Sequence, residues 1–253
     1  MEDFTGKKVL ITGGSRGIGQ ATAMAFAKRG AQIALNFHND NQAASDTIDL
    51  LEGEGHLAIK ADISRPAQVE QLVDAVLGEF GQIDILVNNA GIYLSHPIDD
   101  CDYETWQKAW QDTLGLNLSG VANMCYCVAQ RMMAKGGGHI INVSSRGAFR
   151  GEPAHPAYGA SKAGLNAMSQ SLAQALGKYK IYVSVVAPGF VETDMTREIL
   201  DGPEGDNIKA QSPLQRVASP EEVAHGIVFL ASQQSAFMTG AILDINGASY
   251  LRS

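Results

Sequence analysis

The chain begins with a short apolar segment that runs into a glycine-rich turn, and this junction limits the folds open to it. Lys8 to Thr12 reads as a strand, the turn contains Gly13, Gly17 and Gly19, and Gln20 to Arg29 reads as a helix. Glycines let the backbone approach a phosphate closely, and the N-terminal end of a helix carries partial positive charge. The junction therefore predicts a pyrophosphate-binding turn at the start of an α/β domain.

The same turn also matches the nucleophile elbow of hydrolases. Gly13-x-Ser15-x-Gly17 has that pattern, and an elbow likewise lies between a strand and a helix. Two features favour the nucleotide. This is the first strand, so no earlier loop can build an oxyanion hole, and Gly19 has no role in an elbow. A hydrolase that uses Ser15 and a catalytically silent nucleotide-binding regulator are the alternative hypotheses.

Further strands and helices alternate along the rest of the chain. This order implies right-handed crossovers and a parallel sheet that helices cover on both faces. We expect a single doubly wound Rossmann-type α/β domain over residues 1–253, with a seven-stranded parallel sheet. The expected strands are Lys8–Thr12, Ala31–Phe37, Leu57–Lys60, Asp84–Val87, His139–Val143, Ile181–Ala187 and Ala241–Ile245.

The amino-acid composition argues against some classes of binding partner. A net charge of −8 and an isoelectric point near 5.2 argue against a nucleic-acid surface and an anionic membrane, since both require concentrated Lys and Arg. The start lacks a signal-peptide pattern and no run of about 18 apolar residues occurs, so we expect a cytoplasmic protein. The three Cys and six His show no metal-binding spacing, so no metal is expected.

The residues around the second strand bear on which dinucleotide binds. Ligands of parallel sheets lie beyond the carboxyl ends of the strands, and an acid near the end of the second strand binds the ribose when the cofactor is NAD. Here the first acid is Asp40, which comes late, while Arg16 in the glycine turn could meet a 2′-phosphate. NADP(H) is therefore preferred, and NAD(H) is possible if Asn36 or Asp40 binds the ribose.

Other strand ends carry polar residues whose roles stay open. Asp62 either contacts the adenine or caps the helix that begins at Pro66, and Asn89 could support the strands, contact the cofactor, or do both. Asn117 lies in an apolar helical stretch, where a polar amide must find partners. A structural and a catalytic role for Asn117 are equally open on these grounds.

Tyr158 and Lys162 stand four residues apart at the start of a predicted helix and so share one face. A cation beside a phenol favours the phenolate and lowers the tyrosine pKa. Lowering it from about 10 to about 7 takes about 4 kcal/mol, which Lys162 and a bound cofactor could supply together. The pair predicts a proton donor for a carbonyl oxygen.

Together these segments are similar to the short-chain dehydrogenase/reductase family along the whole chain. Within it, the chain most resembles the 3-oxoacyl-(acyl carrier protein) reductase group, through Ala187 to Met195 and through Pro213 to Arg216. The family motifs that match are Thr12–Gly19, Asp62, Asn88–Gly91, Asn117, Ser145, Tyr158-x-x-x-Lys162, Pro188-Gly189 with Thr193, and Asp244–Tyr250.

The resemblance implies an oxidoreductase that transfers a hydride between NADP(H) and a ketone or secondary alcohol, with a 3-oxoacyl thioester as one substrate class. The alternative is an NAD-dependent alcohol or sugar dehydrogenase. Tyr158 would exchange the proton, Lys162 would lower its pKa and bind the ribose, Ser145 would bond the carbonyl, and Asn117 would hold a relay water. The expected cofactor contacts are Gly13, Gly14, Ser15, Arg16, Gly17, Ile18, Gly19, Phe37, His38, Asp62, Ile63, Asn89, Ala90, Gly91, Tyr158, Lys162, Pro188, Gly189, Val191 and Thr193.

The resemblance also implies a homotetramer, or a homodimer, with helices 115–134 and 157–177 paired across one interface. A substrate lid is expected at residues 192–215, a polar excursion that could instead be a surface loop.

Two departures from the family pattern concern the substrate and the surface. Asp102 to Ala109 carries about one extra helical turn, which leaves the catalytic geometry intact and could alter a subunit contact. Docking of an acidic carrier protein requires cations near the active-site mouth, and the only candidates are Arg131, Lys135, Lys178 and Lys180. Arg146, Arg150 and His155 could recognise an anionic substrate or be solvated loop charges. The candidate pocket residues are Tyr93, Leu94, His96, Arg146, Phe149, Arg150, His155 and Phe190.

Overall fold

A computed structural model describes residues 3–252, and seven parallel strands form its central sheet in the order β3-β2-β1-β4-β5-β6-β7. The chain winds outward from β1 to β3 and then returns to add β4 on the other side of β1. The crevice between the carboxyl ends of β1 and β4 is therefore the ligand-binding switch point of the sheet. The expected doubly wound α/β fold is confirmed. The strands are β1 Lys8–Thr12, β2 Gln32–Phe37, β3 Leu57–Lys60, β4 Ile85–Asn88, β5 Gly138–Val143, β6 Ile181–Pro188 and β7 Ile242–Ile245.

Helices connect the strands on both faces. The longest, α7, has 21 residues and carries the Tyr158–Lys162 pair near its start. The α-helices are α1 Gly17–Ala27, α2 Asn41–Asp49, α3 Pro66–Phe80, α4 Tyr103–Leu114, α5 Val121–Lys135, α6 Gly147–Arg150, α7 Pro156–Leu176, α8 Asp194–Asp201, α9 Gly205–Ala210 and α10 Pro220–Leu230. A π-helical turn, Gly115–Gly120, joins α4 to α5, and 3₁₀ turns occupy Gly177–Tyr179 and Gln233–Met238.

The sheet separates two apolar cores. Along β1, Val9 and Ile11 face the core that contains Phe26 of α1, whereas Leu10 faces the core that contains Leu72 of α3. Side chains on successive strand residues point to opposite faces, so a strand that is apolar throughout is covered on both sides. Helices α1, α2 and α10 cover one face, and α3, α5 and α7 cover the other.

One expected helix boundary differs from the structure. Helix α1 begins at Gly17, three residues before the expected Gln20, so its first turn includes part of the glycine motif. The excursion at 192–215, expected to be a lid or a surface loop, contains two helices, α8 and α9. A capping box at Thr193, in which its side chain meets the N–H of Thr196, starts α8 despite the polar composition.

No helix in the described part of the chain is long and apolar enough to cross a membrane. Within residues 3–252, no group of three or more His, Cys, Asp and Glu side chains is arranged to hold a metal ion.

Candidate active site

The glycine turn after β1 forms a cradle that has no room for side chains. Gly13 adopts a φ of 62°, and a Cβ there would lie 2.9 Å from the Cα of Ala90. A Cβ on Gly19 would collide with the carbonyl oxygen of Gly13. Only glycine combines the left-handed backbone with this close approach, so the turn leaves its N–H groups accessible to a ligand.

The residues that face the cradle suit an anion. Helix α1 begins at the turn, has no acidic residue in its first turn, and has exposed Arg16 at its N-cap with no side-chain capping bond. Across the crevice, a Cβ on Gly17 would lie 3.2 Å from Cγ2 of Thr193. The structure thus brings the two ends of the expected cofactor site together, and its donor groups fit a dinucleotide pyrophosphate.

Asn89 secures the cradle from the side of β4. Its Nδ2 donates to the carbonyl oxygens of Thr12 (3.1 Å) and Gly13 (2.9 Å), while its own N–H donates to Oγ1 of Thr12 (3.0 Å). These bonds give Asn89 the structural role that was left open, and the backbone of Ala90 and Gly91 remains at the crevice.

The two candidate ribose ligands after β2 are both engaged elsewhere. The buried Asn36 amide donates to carbonyl oxygens of Phe37, Ile59 and Ala61, which ties β2 to β3. Asp40 caps α2 by accepting the N–H of Ala43 at 3.0 Å. Both side chains therefore have structural roles at the end of β2.

A cationic cavity lies beyond the carboxyl ends of β2 and β3. It measures about 530 Å³, and its lining includes His38, Lys60, Asp62 and Arg65. Asp62 accepts the N–H and the hydroxyl of Ser64, which precedes α3, and it lies 3.6 Å from Nε of Arg65, the N-cap residue of that helix. It therefore does not cap α3 itself. These hydrogen bonds and the nearby positive charges hold the pKa of the half-buried Asp62 below its usual value, although partial burial opposes them.

Lys162 reaches the crevice from the second turn of α7. Its buried Nζ donates to the carbonyl oxygen of Val143 at 2.8 Å and lies 5.7 Å from the centre of the Tyr158 ring. Burial lowers the pKa of Lys162 to about 8. The carbonyl at the end of β5 therefore holds the ammonium beneath the crevice, a contact that the sequence did not indicate.

Tyr158 does not have the lowered pKa that the pair predicted. Burial, opposed by the Ser145 hydroxyl and reinforced by the charge of Glu152, raises its pKa to about 12. Acting alone, the protein keeps the phenol protonated at neutral pH, which is the form that donates a proton.

Asn117 lies in the π-helical turn and is fully buried. Its Oδ1 accepts the N–H of Ile92 and its Nδ2 donates to the carbonyl oxygen of Ile92, both at 2.9 Å, with Oγ of Ser161 at 3.4 Å. The side chain is thus used to join the strand-four loop to α7. The relay water that the resemblance implies at Asn117 stays a prediction.

Ser145 follows β5 and is half-buried, where its Oγ accepts the N–H of Gly147 at 3.0 Å. The hydroxyl keeps its own proton for another acceptor and interacts with Tyr158. Ser145, Tyr158 and Lys162 therefore meet at the carboxyl ends of β4 and β5, as the family resemblance implied.

Tyr93 and His155 form one wall of the crevice. Their rings stack with centroids 3.6 Å apart, and Tyr93 meets Tyr158 edge to face at 4.7 Å. The Tyr93 hydroxyl donates to Glu152 at 3.3 Å. Partial burial lowers the pKa of His155 to about 4, so this wall is neutral above that pH apart from Glu152.

His96, which the sequence indicates only as a candidate pocket residue, contacts the start of α7. Its Nδ1 bonds the carbonyl oxygen of Leu94 at 2.8 Å, which leaves Nε2 to accept the N–H of Ala157 at 3.2 Å. Ala157 is the first residue of α7 with an N–H, because Pro156 precedes it. His96 therefore caps the catalytic helix from outside, and no local motif announces it.

The four cations proposed for carrier docking lie at the wrong edge of the sheet. Lys135 ends α5 just before β5 begins, and Lys178 and Lys180 come just before β6 begins. Arg131, one turn before Lys135, pairs with Asp74 of α3 at 3.2 Å. All four occupy the amino ends of the strands, whereas Ser145 follows a carboxyl end, so they cannot line the active-site mouth.

Comparison with known proteins agrees with this geometry. The family profile described as enoyl-(acyl carrier protein) reductase matches residues 13–248. The 3-oxoacyl-[acyl-carrier-protein] reductase FabG of Escherichia coli is 39% identical over 98% of this chain and 99% of that protein. The D-threitol dehydrogenase of Mycolicibacterium smegmatis is 40% identical over 96% of this chain and 92% of that protein.

A solved structure agrees as well. A short-chain dehydrogenase/reductase double mutant of Serratia marcescens superposes with a TM-score of 0.90 at 31% identity, covering 98% of this chain and 99% of that one. The family profile, the two relatives and the solved structure all agree with the fold and the site described above. The chain therefore belongs to the short-chain dehydrogenase/reductase family and is an NAD(P)-dependent oxidoreductase that acts on CH–OH or carbonyl groups.

Proposed function

We propose that this protein transfers a hydride between NADP(H) and a ketone or the matching secondary alcohol. The observation that carries the proposal is the closeness of the two halves of the site. A Cβ on Gly91, beside the glycine cradle, would lie 3.6 Å from Nζ of Lys162 and 3.3 Å from Oδ1 of Asn117. A dinucleotide that entered the cradle would thus extend to Lys162 and Tyr158.

The roles of the residues follow from their surroundings. A bound nicotinamide supplies the hydride for the carbonyl carbon, or accepts it in the reverse direction. Tyr158, protonated at neutral pH, gives its proton to the carbonyl oxygen, and the Ser145 hydroxyl bonds the same oxygen. The Lys162 ammonium stabilises the phenolate that Tyr158 becomes. Asn117 holds the loop after β4 in place.

The cofactor contacts are proposed for the crevice residues of the cradle, the strand ends and the loop after β6. Gly14, Ser15 and Ile18 belong to the cradle, Ile63 follows β3, and Pro188, Gly189 and Val191 lie at the end of β6. The preference for NADP(H) is supported by Asn36 and Asp40 being engaged, and by the positive charges of Arg16, Lys60 and Arg65 around the ribose end.

The first test compares binding of NADPH and NADH, followed by cofactor fluorescence, in the wild type and in Arg16→Ala. We expect NADPH to bind more tightly. Arg16→Ala should weaken NADPH binding by about 10- to 100-fold, because a charge-assisted contact to the phosphate is lost, and should leave NADH binding unchanged. Lys28→Ala is the matched control, since it removes one exposed cation at the far end of α1.

Two other outcomes of this binding test would contradict parts of the proposal. Tighter NADH binding that ignores Arg16 would contradict the NADP preference and direct the substrate search to alcohols and sugars. Failure to bind either cofactor would contradict the oxidoreductase proposal. Tyr158→Phe should bind cofactor and lose turnover, whereas a Ser15 hydrolase would keep its activity in that variant and lose it in Ser15→Ala.

A polyol or sugar dehydrogenase is the second candidate, favoured by the 40% identity to the threitol enzyme. A 3-oxoacyl thioester reductase rests on the comparable identity to the Escherichia coli reductase. Because the four candidate docking cations do not lie at the active-site mouth, they give no support to a carrier-bound substrate. We further propose a cytoplasmic homotetramer, or homodimer, for which Tyr126 on α5, 67% exposed, offers apolar surface.

A further inference from the structure

Arg146 follows the catalytic Ser145 directly, and it is a buried guanidinium whose hydrogen-bond partners are neutral. The residue is 2% exposed. One of its terminal nitrogens donates to Oγ of Ser249 and the other to Oε1 of Gln211, each at 2.6 Å. The face of the guanidinium packs 5.0 Å from the Phe190 ring centre. Two of its five N–H donors therefore have partners, and neither partner carries a charge.

A second arginine converges on the same amide oxygen. Arg150, one turn further on, donates to Oε1 of Gln211 at 3.2 Å. No carboxylate lies within 4.0 Å of either guanidinium among the residues described. Two like charges are thus drawn to one neutral acceptor, an arrangement that an anion would stabilise far more than an amide does.

The neighbouring acids do not compensate Arg146. Its guanidinium lines a cavity of about 160 Å³ that is also lined by Glu222 and Asp244. Glu222 accepts two bonds from Arg216, both 2.7 Å, and Asp244 pairs with Arg252 at 2.8 Å. The remaining nearby acid, Glu152, raises the pKa of Arg146 only through space and accepts the Tyr93 hydroxyl.

Burying a charge without a partner of opposite charge costs free energy. Such a charge points to a functional site where a ligand supplies the partner. The cavity lies between Arg146, Ile208 of the lid helix α9, and the segments 212–218 and 244–249. Its volume equals about five water molecules, enough for a carboxylate and a short methylene segment. Arg146 follows Ser145 directly in the chain, and Arg150 acts electrostatically on Tyr93, whose ring contacts Tyr158.

We propose that Arg146 and Arg150 form an anion subsite for the substrate, so that the natural substrate is a ketone or secondary alcohol with a carboxylate. Gln211 of the lid occupies this subsite through its amide oxygen and yields it to the carboxylate. The inference rests on the proposed function, since it names the substrate class of the same site. A carrier-bound thioester has no free carboxylate at that end, so the subsite favours free oxo or hydroxy acids.

The test uses matched acids and esters as probes. 3-Oxobutanoate, 4-oxopentanoate and 5-oxohexanoate are compared with their methyl esters as substrates of the wild type, Arg146→Met, Arg146→Lys and Arg150→Met. For at least one chain length, we expect kcat/KM of the acid to exceed that of the ester by about 10-fold or more. Arg146→Met should reduce this acid-to-ester ratio by about 10- to 100-fold, and Arg146→Lys by less.

Arg197→Met is the matched control, because Arg197 is exposed on the lid helix α8 and pairs with Asp194 at 2.9 Å. It should leave the ratio unchanged. An equal ratio in wild type and Arg146→Met would show that Arg146 only supports the structure, and a preference for esters at all three lengths would also overturn the subsite. The melting temperature and NADPH affinity of each variant identify those that fail to fold, in which case Arg150→Met and Arg146→Lys carry the test.

A binding measurement separates failure of the subsite from failure of the proposed function. Hexanoate, which has no carbonyl, is titrated by calorimetry into the wild type and Arg146→Met in the presence of NADP⁺. Binding to the wild type that weakens 10-fold or more in Arg146→Met supports the subsite even if no ketone is reduced. Absence of turnover for every acid and ester contradicts the proposed function, and absence of hexanoate binding contradicts the subsite.

Discussion

At the scale of single residues, the sequence predicts a functional residue where the backbone conformation admits only one residue type or where a short spacing places two side chains together. Gly13 and Gly19 were found because no other residue fits their positions, and the Tyr158–Lys162 spacing places both on one helix face. The partners of Arg146 were not readable, because Gln211 and Ser249 lie 65 and 103 residues further along the chain. The high pKa of Tyr158 was missed for a similar reason, since burial by distant elements causes it.

His155 gives a prediction for the pH dependence of stability. Partial burial depresses its pKa to about 4 in the folded protein, against about 6.5 unfolded. Above pH 6.5 both states are neutral. Between pH 6.5 and 4 the unfolded chain binds a proton that the folded protein excludes, so the free energy of unfolding falls as the pH falls. Because the ring is half-exposed, we expect a loss of about 1–2 kcal/mol.

Urea unfolding at pH 7 and pH 5 measures this loss. His155→Gln should lose less stability than the wild type over the same interval, because it has no titrating ring. His225→Gln, which removes an exposed imidazole from α10, should behave as the wild type. Equal losses in the wild type and His155→Gln would contradict the assignment of the acid sensitivity to this residue.

At the scale of elements, the extra turn at the start of α4 has a structural purpose that the sequence did not reveal. It places Trp106 against the His96 ring, with centroids 5.5 Å apart, and His96 in turn caps α7 at Ala157. The sequence predicted that this turn could alter a subunit contact and did not indicate its packing against His96. The extra turn therefore supports the N-terminal end of the helix that carries Tyr158.

His96→Leu tests this support. The substitution leaves the buried N–H of Ala157 without an acceptor, which costs about 1–3 kcal/mol and lowers the melting temperature by about 3–10 °C. Because Tyr158 is the next residue, kcat should fall more than the KM for NADPH rises. His96→Gln, which offers an acceptor oxygen on a chain of similar reach, should recover part of both losses.

The matched control is His56→Leu. His56 also accepts a backbone N–H, that of Ile33 at 3.1 Å, but it lies near the amino end of β2, far from the crevice. Its loss should reduce the melting temperature and leave kcat unchanged. An equal effect of both variants on kcat would mean that His96 contributes only general stability.

At the scale of the whole molecule, the alternation of apolar strands and helices was enough to predict the sheet. The inner strands are buried on both faces, so they read as continuous apolar runs, and right-handed crossovers leave few possible strand orders. The lid helices were not predicted, because they have only eight and six residues in a segment rich in Pro, Gly and charge, and helices this short are not stable on their own. Their form depends on the Thr193 cap and on packing against residues that follow the strands.

The single-domain proposal can be tested by asking whether the two cores unfold together. Phe26 is fully buried in the core on the α1 face, where it meets Phe4 edge to face at 5.0 Å. Both tryptophans, Trp106 and Trp110, lie on α4 on the α7 side of the sheet. Phe26→Ala should destabilise the protein by about 3–5 kcal/mol through the cavity it leaves.

If the chain unfolds as one unit, this remote substitution must shift the tryptophan fluorescence transition in urea as much as it shifts the circular dichroism transition. With a denaturant slope of about 3 kcal/mol/M, both midpoints should fall by about 1 M or more. Leu72→Ala, in the opposite core, should likewise move both probes together. A dichroism midpoint that moves while the fluorescence midpoint stays would mean that the layers unfold separately, although both cores pack against the same sheet.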